Sequence, residues 1–331
     1  MKKAVVQGGM AGALWGAVIV APALIPDVHP VVISCVRFLL YGLFATLIAL
    51  PNARALFRRL TRQDQRRLLE LALTGNLLYF ILLSAAVQDA GVATASLING
   101  LIPIAVMLMG RRYSQVSLRS MLFSLALIFT GIIWLNLPAV MAVIRGEGGM
   151  RQMLGAGYAC LGVLSWSWFA LRNAHQLKTG RFTPGEWSTL LGITTGFMAL
   201  LLSVMVILTQ PQLVPTDLRR ERLTTFMLTT LFMAIAGSWV ANALWNAAAQ
   251  RLPVSIGGQL IIFETLCALF YSYLLAWALP GAVKVLGMLL VLGGVCWTIR
   301  TESRSVIPKR LHMVLLELDH CGFVRSRPAC P

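Results

Sequence analysis

Two charged side chains, Arg37 and Glu264, lie well inside long apolar runs of this 331-residue chain. A charge at the centre of a bilayer costs about 2.5–3.5 kcal/mol on insertion scales unless it faces a partner or water. Glu264 belongs to the stretch Gly237–Leu275, in which two apolar segments flank a break at Arg251-Leu252-Pro253. In the first of these, Ser238, Asn242 and Asn246 recur every four residues and so share one helix face. Gln259 precedes Glu264 by five residues, about 140° round a helix. Upstream, Asn76, Tyr79 and Asn99 also fall in apolar runs, and Ser96 and Asn99 are spaced to share a face. Trp15 and Trp166 occupy similar places in the two halves of the chain.

These residue types suit the binding of a small amphipathic solute. Amides and hydroxyls hydrogen-bond its polar groups, and indole faces carry an apolar group or an ammonium. A carboxylate such as Glu264 takes a cation or a proton, and Arg37 is a second charge site. Each group also has a purely structural use. Buried amides tie membrane helices together at about 0.6 kcal/mol per hydrogen bond. Arg37 can snorkel or cap a helix end, Glu264 can pair with another side chain, and Trp near a helix end is commonly an interfacial anchor.

The elements that position these groups follow from composition. The chain is 58% hydrophobic and 12% charged, against about a quarter charged in a soluble domain. Its continuous apolar runs exclude a β-barrel's alternation, so the fold class is an all-α membrane protein. The net charge of +16 sits in short loops between apolar runs, which argues against a nucleic-acid partner and for the headgroups of a lipid bilayer. Ten spans are expected, near 4–26, 30–50, 67–87, 91–109, 118–136, 154–173, 186–209, 224–249, 254–276 and 281–299. With the N-terminus cytoplasmic, the inner segments before the tail hold 15 Lys and Arg and the outer loops 6, so both termini are expected in the cytoplasm.

A shift of 162 residues lays Gly75 on Gly237, Gln88 on Gln250 and Val92 on Val254. A shift of 163 lays Gly131 and Trp134 on Gly294 and Trp297, and one of 151 lays Leu14-Trp15 on Ser165-Trp166. Spans one to five therefore read as repeated in six to ten. An odd number of passes inverts the second copy, the plan of many secondary transporters with a midplane site. The expected organisation is a first repeat over 4–136, an outer linker over 137–153, a second repeat over 154–299 and a basic cytoplasmic tail over 300–331.

Catalytic chemistry finds little support. The chain lacks HExxH, Walker A and GxSxG motifs and a dense carboxylate cluster, so a membrane enzyme acting on a lipid-linked substrate is the weaker alternative, as is a non-transporting partner subunit. The six Cys form no CxxC pair and read as small apolar residues, and no metal or cofactor is expected. All four His lie in loops or the tail. Any proton coupling would pass through Glu264; uncoupled movement is the other outcome.

The layout resembles the drug/metabolite transporter superfamily, in its EamA-type branch. The residues that carry the likeness are Ala13-Leu14-Trp15-Gly16, Arg37-Phe38-Leu39-Leu40, the run from Ser96 to Pro103, and Phe263-Glu264-Thr265. The segments GNLLYF, SWFALRNA and SWVANALWN are similar to a bacterial inner-membrane branch. The resemblance covers about residues 4–300. It implies a central cavity lined by spans one, three, four, six, eight and nine, and movement of small metabolites or drugs across the inner membrane, often outward. One departure stands out. The family often has Glu-Pro in the ninth span, whereas Thr265 follows Glu264 here, so the proline kink is expected only at Pro103 in the fourth.

Overall fold

The computed structural model describes residues 2–110, 118–135, 149–215, 219–252, 260–275 and 279–297, with stretches of one to three residues between and after them. Parts of the 137–153 linker and the basic tail from residue 302 lie outside the described residues. All regular elements among the described residues are helical. In chain order they are α1 (Lys2–Val20), α2 (Pro30–Ala49), α3 (Ala53–Arg58), α4 (Arg62–Leu71), α5 (Leu78–Asn99), α6 (Ile102–Met109), α7 (Leu118–Leu135) and α8 (Met150–Leu177). There follow α9 (Pro184–Thr209), α10 (Arg220–Phe232), α11 (Ala241–Arg251), α12 (Ile262–Leu275) and α13 (Ala282–Trp297). Six stretches of described helix are long and apolar enough to cross a membrane, and α12 and α13 are shorter apolar helices.

Local sequence explains most boundaries. His29 caps α2 and Pro30 opens it, where a missing N–H costs nothing. Thr61 with Asp64 and Thr183 with Glu186 form capping boxes at the starts of α4 and α9. α5 breaks at Gly91, whose φ of 81° is left-handed territory suited to glycine. The segment after Gly91 is itself interrupted at Gly100-Leu101, just before Pro103 in the first turn of α6.

The two longest compound helices each contain a π-helical segment. One joins α4 to α5 over Ala72–Leu77, and the other joins α10 to α11 over Met233–Val240. A π turn releases backbone carbonyls from the regular ladder, and in a dry interior each then needs a donor. Here the Ser165 hydroxyl donates to the Thr74 carbonyl (2.7 Å), and the Trp15 indole N–H donates to the Gly237 carbonyl (3.0 Å).

Helix contacts recur in pairs. A Cβ on Gly42 would lie 2.5 Å from the Cα of Gly196, and a Cβ on Gly196 would lie 2.5 Å from the Cα of Gly42, so α2 and α9 cross at backbone contact. Gly192 faces Ala45, so the two helices run antiparallel. Likewise α7 and α13 meet twice: the Ser124 hydroxyl donates to the Gly294 carbonyl (2.9 Å), and a Cβ on Gly131 would lie 2.8 Å from the Gly287 carbonyl oxygen. Small residues that let backbones touch are how helices associate where lipid removes the hydrophobic drive. The outer faces remain apolar and exposed, as on α9 with Phe197, Leu201, Val204 and Leu208.

A candidate solute cavity

Between the helices lies a buried cavity of about 50 Å³. About 10–15 Å³ of such space holds one water, so this chamber has room for a few waters. Seven residues singled out from the sequence line it: Trp15 from α1, Arg37 from α2, Asn76 and Tyr79 from the α4–α5 compound helix, Trp166 from α8, Asn242 from α11 and Glu264 from α12.

Arg37 is fixed on three sides. Its Nε donates to the Ser238 hydroxyl (3.2 Å), and its guanidinium lies over the rings of Phe80 (4.4 Å) and Phe38 (4.9 Å). Such cation–π contacts are worth about 2 kcal/mol when desolvated. Arg37 is 6% exposed, and among the described residues its terminal nitrogens make no hydrogen bond.

Glu264 is equally buried, at 5% exposed. It sits in the first turn of α12, after a turn at Ile261 whose carbonyl accepts from the Glu264 backbone N–H (2.9 Å). The helix is therefore interrupted beside Glu264 although Thr265 stands where the resemblance puts proline, and the break in regular helix is not confined to the region of Pro103. The first turn of a helix carries positive partial charge from unsatisfied N–H groups, which favours a carboxylate there by about 0.3–1 kcal/mol. Arg37 attracts Glu264 electrostatically, yet no ion pair within 4.0 Å joins them.

The remaining sequence-singled residues divide by depth. Asn99 is in the wall of an adjoining chamber of about 230 Å³, with Ser84, Gln88 and Thr265. The two chambers share Val18, Ile19, Phe80 and Leu83. The Tyr79 hydroxyl donates to the Asn99 side-chain carbonyl (3.0 Å) and Asn76 donates to Thr195 (2.8 Å). Ser238 is outside the cavity wall and acts on it through Arg37. Asn246 is not in the wall either. It sits one turn beyond Asn242, and its carbonyl accepts from Asn173 (2.8 Å). Gln259 lies outside the described residues. Among the described residues, no three His, Cys, Asp or Glu side chains gather as a metal site would require.

The sequence profile of the EamA-like transporter family matches residues 3–137 and 153–300. This chain belongs to the EamA-like transporter family. It is similar to the inner membrane protein YtfF of Escherichia coli (strain K12), with 29% identity over 308 residues, covering 89% of this chain and 94% of that one. A solved crystal structure shares the fold of this EamA-like chain, with a TM-score of 0.70 at 17% identity over 92% of this chain and 99% of that chain.

Some wall residues of this family member were not singled out from its sequence. Phe80 and Leu83 continue the face of Asn76 and Tyr79 at helical spacing, a stripe that a search by period rather than polarity finds. Asn173 was missed too, although it is fully buried in α8. Its carbonyl accepts from the Trp187 indole (2.8 Å) while its amide donates to Asn246. Replacing Asn173 with alanine is expected to destabilise the protein by about 1–3 kcal/mol, the cost of leaving a buried partner unpaired. Thermal unfolding of the purified variant in detergent measures it, and an unchanged midpoint would show the chain of bonds to be idle.

Proposed function

We propose that this EamA-like protein is a secondary transporter that carries a small amphipathic metabolite, an amino acid or related compound or drug, outward across the inner membrane by alternating access. One observation carries the reading: two charges, two amides, a phenol and two indoles from six different helical segments face a single buried cavity. A wall so assembled is costly in a bilayer unless it meets a polar solute or water.

The proposed architecture is ten passes in two inverted five-helix repeats, over about residues 4–136 and 154–299. Its support is the doubling of contacts: two π segments, Gly42 against Gly196, and the mirrored pair of α7–α13 approaches. The two profile matches support it as well. The proposed orientation places both termini in the cytoplasm. Proton coupling through Glu264 belongs to the same reading.

The chambers lead to one end of the bundle. The larger one reaches the α1–α2 connection, with Pro22, Ile25, Pro26 and Val28 in its wall. At the opposite end, contacts between the two halves close the bundle: Asp64 with Arg181 (3.0 Å), Arg59 with Glu186 (2.6 Å), Glu70 with Arg172 (3.1 Å), and Arg67 with Gln176. A site connected to one end and shut from the other is what alternating access requires of a single state.

The test is counterflow in proteoliposomes across a panel of radiolabelled amino acids, amines and dyes. Wild-type protein is expected to exchange at least one of them. Glu264→Gln is expected to lower that exchange by at least about tenfold, equivalent to about 1.4 kcal/mol, and Asn242→Ala by less. Equal exchange by wild type and variants across the panel would remove this cavity from the pathway.

A further inference from the structure

We infer that this fold holds one phospholipid with an anionic headgroup, an acyl chain lying in an apolar groove between α7 and the α6–α8 pair and the phosphate resting on Arg119. The site is apart from the solute cavity and independent of what that cavity carries.

The two ends of α7 are packed differently. Toward Leu135, its Ile128 and Ile132 join a cluster with Ile262, Val291 and Val295, and a Cβ on Gly100 would lie 3.1 Å from Ile132. Toward Leu118, a groove of about 680 Å³ parts α7 from α6 and α8. The contact of Leu125 with Ile104 forms part of its wall. Along α7 the wall runs from Leu122 to Phe129, and Leu108, Cys160 and Leu164 face it from α6 and α8. Every side chain of the wall is apolar apart from the Cys160 thiol. The volume is that of a ligand site, about 300–1,000 Å³. Elsewhere the lipid-facing helix surface gives an acyl chain contact on one side. Here three helices surround it, and dispersion grows with each added contact.

Depth and charge choose the occupant. Arg119 stands one turn before Leu122 in α7 and is exposed. From Arg119 to Phe129 is about 15 Å at 1.5 Å per residue, the depth of one leaflet in a hydrocarbon core about 30 Å thick. A chain whose headgroup lies at Arg119 therefore fills the groove along its length. The ten residues 110–119 hold three Arg and no acidic residue, a charge that draws anionic headgroups. A guanidinium also binds phosphate through paired hydrogen bonds. A polar solute would find nothing in the wall to bond, and a plain hydrocarbon would leave Arg119 unused. Only a molecule with an anionic head and a long apolar chain meets both. Its chain would fill the gap between α7, with α13 behind it, and the rest of the bundle.

The experiment titrates dioleoyl-phosphatidylglycerol and dioleoyl-phosphatidylcholine into the delipidated full-length chain in detergent. Native mass spectrometry counts the bound lipid, and the rise in unfolding midpoint gives its affinity. One phosphatidylglycerol per chain is expected, bound about fivefold more tightly than phosphatidylcholine, the worth of one cation beside an anionic headgroup. Arg119→Gln is expected to bring the two lipids within about twofold of each other. Ala126 is exposed in the groove wall, so Ala126→Trp fills the groove with little strain and is expected to weaken both lipids by at least about tenfold. Phosphatidylglycerol is also expected to slow maleimide labelling of Cys160, read by peptide mass, several-fold in the parent. If Ala126→Trp fails to fold, Arg119→Gln and the Cys160 labelling decide. Absence of a one-to-one adduct, equal binding of the two lipids by the parent, or variants that bind as the parent does each overturns the site. So does a dimer whose Cys160 is protected without lipid, which would make a second copy of the chain the occupant.

Discussion

Replacing Gly196 with leucine is expected to leave little folded protein, and Gly42→Leu to do the same. A Cβ at either position meets the partner glycine's Cα at 2.5 Å and its amide nitrogen at 3.2 Å. Those are backbone atoms of a second helix, so no rotamer change makes room. The helices must separate, and α2 and α9 share contacts along much of their length, including Tyr41 and Ala45 against Gly192 and the Tyr41 hydroxyl donating to the Ser188 carbonyl (2.9 Å). Overpacking a well-packed core typically costs about 1–3 kcal/mol. Prising two backbones apart should exceed that range. The measurement is the monodisperse fraction by size-exclusion chromatography, with thermal unfolding of whatever remains. Alanine at one site should give a milder loss. Alanine at both should cost less than the sum of the single losses, because the first substitution already separates the helices that the second would push. A leucine variant that melts like the parent would show that these helices do not touch where the structure places them.

The reach of the sequence into this architecture can be judged from particular residues. Arg37, Glu264, Asn76 and Asn242 were readable because charge and amide are expensive in an apolar run, and all four line the cavity. Ser238, Asn242 and Asn246 were read as one face. They span eight residues, about 12 Å of helix, and of the three Asn242 alone is in the cavity wall. Spacing reports direction round a helix and says nothing of depth along it. Ser238 therefore serves Arg37, Asn242 enters the wall and Asn246 is bound into the Asn173–Trp187 chain. Ser238 also sits inside a π segment, which no periodicity of 3.6 announces. Phe80 and Leu83 were overlooked because an apolar residue in an apolar run carries no signal of its own. The interruption at Ile261 has no proline to announce it.

Trp245→Ala is expected to cost about 3–5 kcal/mol, the range for emptying a large aromatic site in a packed core, and to make the protein leak. Trp245 stacks against Trp15 (5.5 Å between centroids) and Trp166 (5.8 Å), and those two stand 6.0 Å apart edge to face. Trp15 and Trp166 line the cavity, whereas Trp245 packs in the apolar cluster with Ala248, Leu252 and Ile256. The three rings thus separate the chamber from the end of the bundle closed by the Asp64–Arg181 pair. Surface ion pairs are individually worth little, so the tryptophans should supply most of the seal. Trp245 has one liability: its indole N–H is buried with no partner among the described residues. Trp245→Phe removes that unmet donor while keeping a ring, so it should be far less destabilising than alanine. The two variants separate packing from hydrogen bonding, because an N–H-dependent role would make phenylalanine as damaging as alanine. Passive efflux of a preloaded solute from proteoliposomes reads the seal directly. Alanine should raise it several-fold and phenylalanine should not. Parent-level efflux from a folded Trp245→Ala protein would place the barrier below the tryptophans, among the ion pairs that join the two halves.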